Sequence, residues 1–174
     1  MDSNTDLLPA MDIEISSNPD WIDIDRVSRF LRDEAYWSLG IPRDVVQRAI
    51  AHSLVWGAYE SDAASTSPRS RSQIGFLRVV SDRGTFAYLC DVFVLPEWRG
   101  RGIARRLLQA AREHPELRGL RRWLLFTRDA HGLYARAGFR PLANPRRGME
   151  HLDSNVYAST ATSHPVHHPG GEQT

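Results

Sequence analysis

The feature that most restricts the fold of this 174-residue chain is a junction near its middle. The apolar run Ala87-Tyr88-Leu89-Cys90-Asp91-Val92-Phe93-Val94-Leu95 ends at Pro96, which has no N–H to give a sheet ladder. Trp98-Arg99-Gly100-Arg101-Gly102-Ile103-Ala104 follows, and then Ile103, Leu107, Leu108 and Ala111 recur on one face of a helix reaching about Glu113. A strand, a glycine-rich turn and an amphipathic helix in that order suit an anion. Gly100 and Gly102 let backbone N–H groups approach it, and the helix start adds the positive end of its dipole. Arg99, Arg101, Arg105 and Arg106 surround the same place with guanidinium donors. By itself this junction is also compatible with a tight connection carrying solvated arginines. A P-loop is excluded because no Gly-Lys-Ser/Thr follows, and a dinucleotide fold because the third glycine and the downstream ribose-binding acid are missing.

The flanking periodicities define the remaining elements. Ile13 and Ile15 alternate as a first strand; Val27, Phe30, Leu31 and Tyr36 fall at helical spacing; Pro42 opens a second helix with Val45, Val46, Ala49 and Ile50. Leu54–Tyr59 and Ile74–Val80 read as strands separated by a Ser- and Ala-rich surface loop, and Asp82-Arg83-Gly84 turns into a third, Thr85–Leu95. Trp123–Thr127 reads as a buried strand. Asp129 is placed to cap a short helix through Tyr134 and Ala137, closed by Gly138. A strand beginning at Phe139 completes a β-α-α-β-β-β-α-β-α-β order, an α/β (α+β) sheet with helices packed on it, to which Met149-Glu150-His151 adds a last edge strand.

Composition removes several function classes. No stretch approaches eighteen apolar residues and the N-terminus has neither a basic nor an apolar leader region, so a cytoplasmic chain without a membrane span is expected. The single cysteine, Cys90, excludes an internal disulfide framework and a zinc cluster, and its strand setting suits an inert buried thiol; no metal site is expected. A formal net charge of +1 conceals an acidic first 34 residues and an arginine-rich stretch over 99 to 147. A nucleic-acid binder would interleave its arginines with stacking aromatics, but the aromatics here fall in strand positions, so no nucleic-acid partner is expected. Residues 1–11 and the Ser-, His-, Pro- and Gly-rich 153–174 read as disordered ends around one domain, 12–152.

Two motifs, taken jointly, resemble the GNAT superfamily of N-acetyltransferases. Arg99-x-x-Gly102-x-Ala104 directly after Val94-Leu95-Pro96 is similar to its Arg/Gln-x-x-Gly-x-Gly/Ala motif. Downstream, Thr127-x-Asp129-Ala130-x-x-Leu133-Tyr134-x-x-x-Gly138-Phe139 is similar to its second signature. The resemblance covers about residues 12–152. Ala87–Val94, Gly119-Leu120-Arg121-Arg122-Trp123 and Asp129–Tyr134 look like a bacterial branch without an assigned substrate.

The resemblance implies a mixed, mainly antiparallel sheet with splayed central strands and helices on both faces. It implies acetyl-CoA as acyl donor, with the backbone of Arg99, Gly100, Arg101, Gly102, Ile103 and Ala104 holding the pyrophosphate of coenzyme A. Val92, Phe93 and Val94 would pair their backbone with the pantetheine arm, and a backbone N–H near Val94 would face the thioester oxygen. Asp129 is a secondary cofactor contact. The implied reaction is direct attack of a primary amine, on a small molecule or a peptide, with Tyr134 as the general acid for the departing thiolate. Asp91 is a candidate base, since a carboxylate in an apolar run is costly unless used or hydrogen-bonded; an outward-facing strand residue remains the alternative. Glu60 and His131 are weaker candidates. Glu34, Tyr36 and Trp37 lie where relatives select their acceptor, offering an acid and two aromatics to a cationic amine. An acyl-CoA sensor of the same fold is the alternative function, and the resemblance allows a homodimer.

Overall fold

A computed structural model describes residues 12–61 and 71–157. The expected disorder at 1–11 and the greater part of the expected tail at 153–174 lie outside the described residues, as does most of the loop between the second and third strands. Five strands form one sheet in the order β1-β2-β3-β4-β5: β1 Asp12–Ser16, β2 Leu54–Ser61, β3 Ser72–Ser81, β4 Phe86–Val94 and β5 Arg122–Leu124. The first four are antiparallel neighbours, and β5 joins β4 in parallel. The helices are α1 Ile24–Asp33, α2 Arg43–Ala51, α3 Ile103–Glu113 and α4 His131–Arg136. This is the expected mixed α/β architecture. No helix among the described residues is long and apolar enough to cross a membrane.

Helices cover both faces because each carries its apolar stripe at helical spacing. Ile103, Leu107, Leu108 and Ala111 of α3 are buried with Trp56, Leu77, Val79 and Leu89 of the sheet. On the opposite face Val27, Phe30 and Leu31 of α1 and Val46 of α2 are buried with Val55, Phe76 and Phe93. Phe30 stacks on Phe93 with ring centroids 3.9 Å apart. Tight packing favours Gly57 in β2, since a Cβ there would overlap the phenol end of the buried Tyr59 side chain. Gly57→Ala is therefore expected to lower unfolding stability by about 1–3 kcal/mol through overpacking, measurable by urea denaturation.

Two features of β4 prepare the site. Its register against β3 slips between the pairs Phe76↔Phe93 and Arg78↔Cys90, so that two residues of β4, Asp91 and Val92, oppose Leu77 alone. Asp91 takes φ 50° at this bulge. A bulge reverses the alternation of side chains beyond it. Ala87 and Leu89 face α3, but after the bulge Val94 faces α3 and Phe93 faces α1. The second feature is the divergence of β5. Its pairing with β4 ends at Tyr88↔Leu124, leaving β4 from Leu89 to Val94 without a β5 partner. The splayed strands expected from the resemblance are thus present.

Several expectations are corrected. The first helix does not include Tyr36: Glu34 N–H and Ala35 N–H both donate to Phe30 O, Ser38 Oγ donates to Leu31 O, and Gly40 N–H donates to Arg32 O, so the helix end is tied off by a series of turns. The buried strand expected over Trp123–Thr127 is only three residues long and Phe126 is 71% exposed, because the chain departs from β4 after Leu124. Asp129 does not cap α4; Ala130 occupies the N-cap position and its N–H donates to Thr127 Oγ1. No strand follows α4 among the described residues. Pro141 and Pro145 lack donors for a ladder, and Met149 is 99% exposed.

Candidate functional site

The cradle forms at the end of β4. Gly100 and Gly102 have φ 77° and 75°, left-handed values that L side chains adopt only with strain, and a Cβ at either would meet nothing within 4 Å. Gly102 is the N-cap of α3 and supplies no side-chain acceptor. Its carbonyl accepts from Arg106 N–H at 3.1 Å, while the N–H groups of the first turn have no helical partner. An open surface of backbone donors at a helix start therefore lies where Arg99–Ala104 was expected to hold phosphate. Arg99 acts on the strand, its Nε donating to Val94 O at 3.0 Å, which fixes the cradle to the end of β4. Arg101 lies over the Trp98 ring, 4.7 Å from its centroid.

Beside the splayed strands is a cavity of about 630 Å³. Its walls come from the α1–α2 connection, from α2, from β3 and β4, and from the segment between β5 and α4. Of the expected residues it brings together Tyr134, Asp91, Val92, Asp129, Tyr36 and Trp37. The side chains of Phe93 and Val94 are buried in the two core clusters, so the backbone they would offer carries no obstructing side chain. Glu34, Glu60 and His131 do not line the cavity. Glu34 is the exposed C-cap of α1.

Asp91 is held at both oxygens. Arg78 Nε donates to Oδ2 at 2.6 Å and Trp37 Nε1 to Oδ1 at 3.1 Å. Arg78 in turn donates through Nη1 to Ser53 Oγ at 3.1 Å, and Ser53 donates to Ala49 O. The pair is mostly enclosed, with side-chain exposures of 17% for Arg78 and 12% for Asp91. Burial opposes the Arg78 charge, but Asp91, Cys90 and Tyr88 together more than offset it and the guanidinium is held still more firmly protonated. Sequence reading missed Arg78, although an arginine inside the apolar run Ile74–Val80 is a usable signal: such a charge needs a partner. Arg128 was also missed; its guanidinium lies 3.7 Å from the centroid of the Tyr36 ring and its backbone N–H donates to Tyr36 Oη at 2.9 Å. No sequence signal singled out Tyr157, which reaches the cavity from beyond the last helix and approaches Gly40.

Tyr134 stands on α4 with its ring edge-on to Phe139, centroids 5.9 Å apart. Burial pushes its phenol up to about 12, assisted by Tyr36, Asp129 and Cys90. Cys90 lines the same cavity, and burial pushes its thiol up to about 12 as well. The enclosure that keeps the phenol protonated keeps the Cys90 thiol protonated as well.

Comparison with known proteins agrees with this geometry. An acetyltransferase (GNAT) domain family matches residues 51–141, which include the bulged strand, the cradle and Tyr134. A Gibberella zeae protein, provisionally named an acetyltransferase, is 32% identical over 138 residues, spanning 72% of this chain and 77% of its own. A crystal structure of a Xanthomonas campestris pv. campestris protein assigned provisionally to the GNAT acetyltransferases is 45% identical, with a TM-score of 0.76 over 84% of this chain and 97% of that one. A Staphylococcus aureus protein shares the fold at 19% identity, with a TM-score of 0.63 over 82% of this chain and 99% of its own. The family match and the relatives of 32% and 45% identity agree, and the chain belongs to the GNAT family of acetyltransferases.

Proposed function

We propose that this protein transfers an acetyl group from acetyl-CoA to a primary amine by direct attack. The observation that carries the reading is the alignment of three parts: a β4 edge left open by β5, an uncapped helix start at its end, and a half-buried phenol in the adjoining cavity. Bound acetyl-CoA supplies an activated thioester. The first-turn N–H groups of α3 receive its pyrophosphate, aided by the helix dipole and by nearby guanidinium groups. Peptide groups of Leu89 to Val94 hydrogen-bond the pantetheine amides as a further strand would. Tyr134 Oη gives its proton to the sulfur that leaves. Asp91, committed at both oxygens, acts as a positioning residue rather than a base: it holds the Trp37 indole and the Arg78 guanidinium in the acceptor wall. Asp129, at the exposed rim, lies close enough to the entry of the cavity to meet the cofactor arm.

The reading is tested by titrating acetyl-CoA calorimetrically into the full chain and by following thiol release with a panel of primary amines. Saturable binding and amine-dependent release are expected. Absence of binding overturns the reading, and binding without amine-dependent release across the panel makes the protein an acyl-CoA sensor.

A further inference from the structure

We infer that the acceptor is an amine uncharged at neutral pH and carried on a flat apolar body, a member of the arylamine class. This rests on the acetyl-transfer reading above and goes on to name its substrate.

The acceptor end of the cavity is apolar and aromatic. Leu31, Ile41, Val46 and Phe76 line it from the buried face. Tyr36 and Trp37 of the α1–α2 connection stand edge to face with centroids 5.0 Å apart, and Tyr88 of β4 and Phe126 of the β5–α4 segment form a tilted pair at 6.3 Å in another wall. Aromatic rings contributed by two separate walls suit a ring.

Charge is the more discriminating observation. The lining residues of α1, α2 and their connection are all uncharged; β3 contributes Arg78, β4 contributes Asp91, and the β5–α4 segment contributes Arg128 and Asp129. Among the described residues each of these carboxylates already faces an arginine. Asp91 meets Arg78 at 2.6 Å with its second oxygen on Trp37, and Asp129 lies 3.6 Å from Arg128. Asp129 is also 64% exposed, so water screens it at the rim. An ammonium entering the apolar end would lose its hydration without gaining an uncompensated carboxylate, which is unfavourable.

The same fact bears on the chemistry. Attack requires a nitrogen lone pair, and an aliphatic ammonium must first lose a proton to a base. Asp91 already accepts a hydrogen bond at each oxygen and is paired with Arg78. An arylamine nitrogen already holds its lone pair at neutral pH. It forms the C–N bond to the acetyl carbon as the C–S bond breaks; Tyr134 protonates the sulfur; the nitrogen proton then returns to the tyrosine through water, so that amide and thiol are the only products.

Two isomers isolate the charge, because 4-ethylaniline and 2-phenylethylamine have the same atoms and differ at neutral pH in carrying an amine or an ammonium. Calorimetric titration of each into the full chain saturated with coenzyme A is expected to give at least about tenfold tighter binding of 4-ethylaniline. With acetyl-CoA, thiol release should favour it in the same sense. Equal binding, preference for the ammonium, or binding of neither overturns the inference. Arg78→Gln leaves the Asp91 carboxylate unpaired and is expected to abolish or invert the preference; a folded variant with the wild-type preference overturns the charge argument, and the wild-type isomer comparison stands without it. Failure of the acetyl-transfer reading is recognised separately, as absent acetyl-CoA binding or absent thiol release while the isomers are still distinguished.

Discussion

Tyr134→Phe is expected to lower kcat by about 10²–10⁴, the usual contribution of a positioned general acid, and to leave acetyl-CoA affinity within about twofold of wild type. The substitution removes one oxygen and keeps the ring that packs edge-on against Phe139, so a structural cause would have to act through a contact the variant retains. The pH profile adds a second readout. The acid form of Tyr134 must be populated for it to donate, and burial raises its pKa to about 12. Deprotonation therefore removes activity only as the pH approaches that value, and the wild type should show no alkaline limb from this group between neutrality and about pH 10. Steady-state kinetics of both proteins over that range, with calorimetry for the cofactor, measure all three quantities. An unchanged kcat would remove Tyr134 from the chemistry.

Gly102→Glu is expected to weaken acetyl-CoA binding by at least about 100-fold, by setting a carboxylate among the donors that would otherwise receive phosphate. The fold should survive. A Cβ at this position has open space around it, and the cost is the left-handed backbone, about 1–2 kcal/mol for an L residue. A negative charge at the start of α3 partly offsets that cost through the helix dipole. Gly102→Ala carries the same backbone strain without the charge and is the control. It should bind acetyl-CoA within about tenfold of wild type. If the two variants lose affinity equally, the loss comes from the turn conformation and the phosphate assignment is wrong. Calorimetric titration with thermal unfolding of each variant distinguishes these results.

The sequence carried the central unit of the molecule because its determinants are local. Pro96 stops a strand by lacking a donor, Gly100 and Gly102 permit left-handed backbone, and Ile103, Leu107, Leu108 and Ala111 repeat at the helical period; each signal lies within a few residues of the structure it specifies. The same holds for α4 and its tyrosine, whose spacing from Gly138 is fixed by less than two turns of chain. Charge patterning around Arg78 was legible in principle, as a charge within an apolar strand demands a partner.

Local patterns therefore determined the order of elements as far as α4 and the left-handed glycine turn before α3, and the resemblance of two motifs pointed to the family. Tertiary structure decided the rest. Whether Asp91 faces outward or into the cavity depends on a one-residue slip between β3 and β4. Whether Trp123–Thr127 continues as a strand depends on where β5 leaves β4, and whether Glu34 accompanies Tyr36 and Trp37 depends on the turns that end α1. Strand register and divergence arise from pairings between distant segments. A local pattern states which side chains prefer burial, and the contacts formed across the sheet decide which of them meet around one cavity.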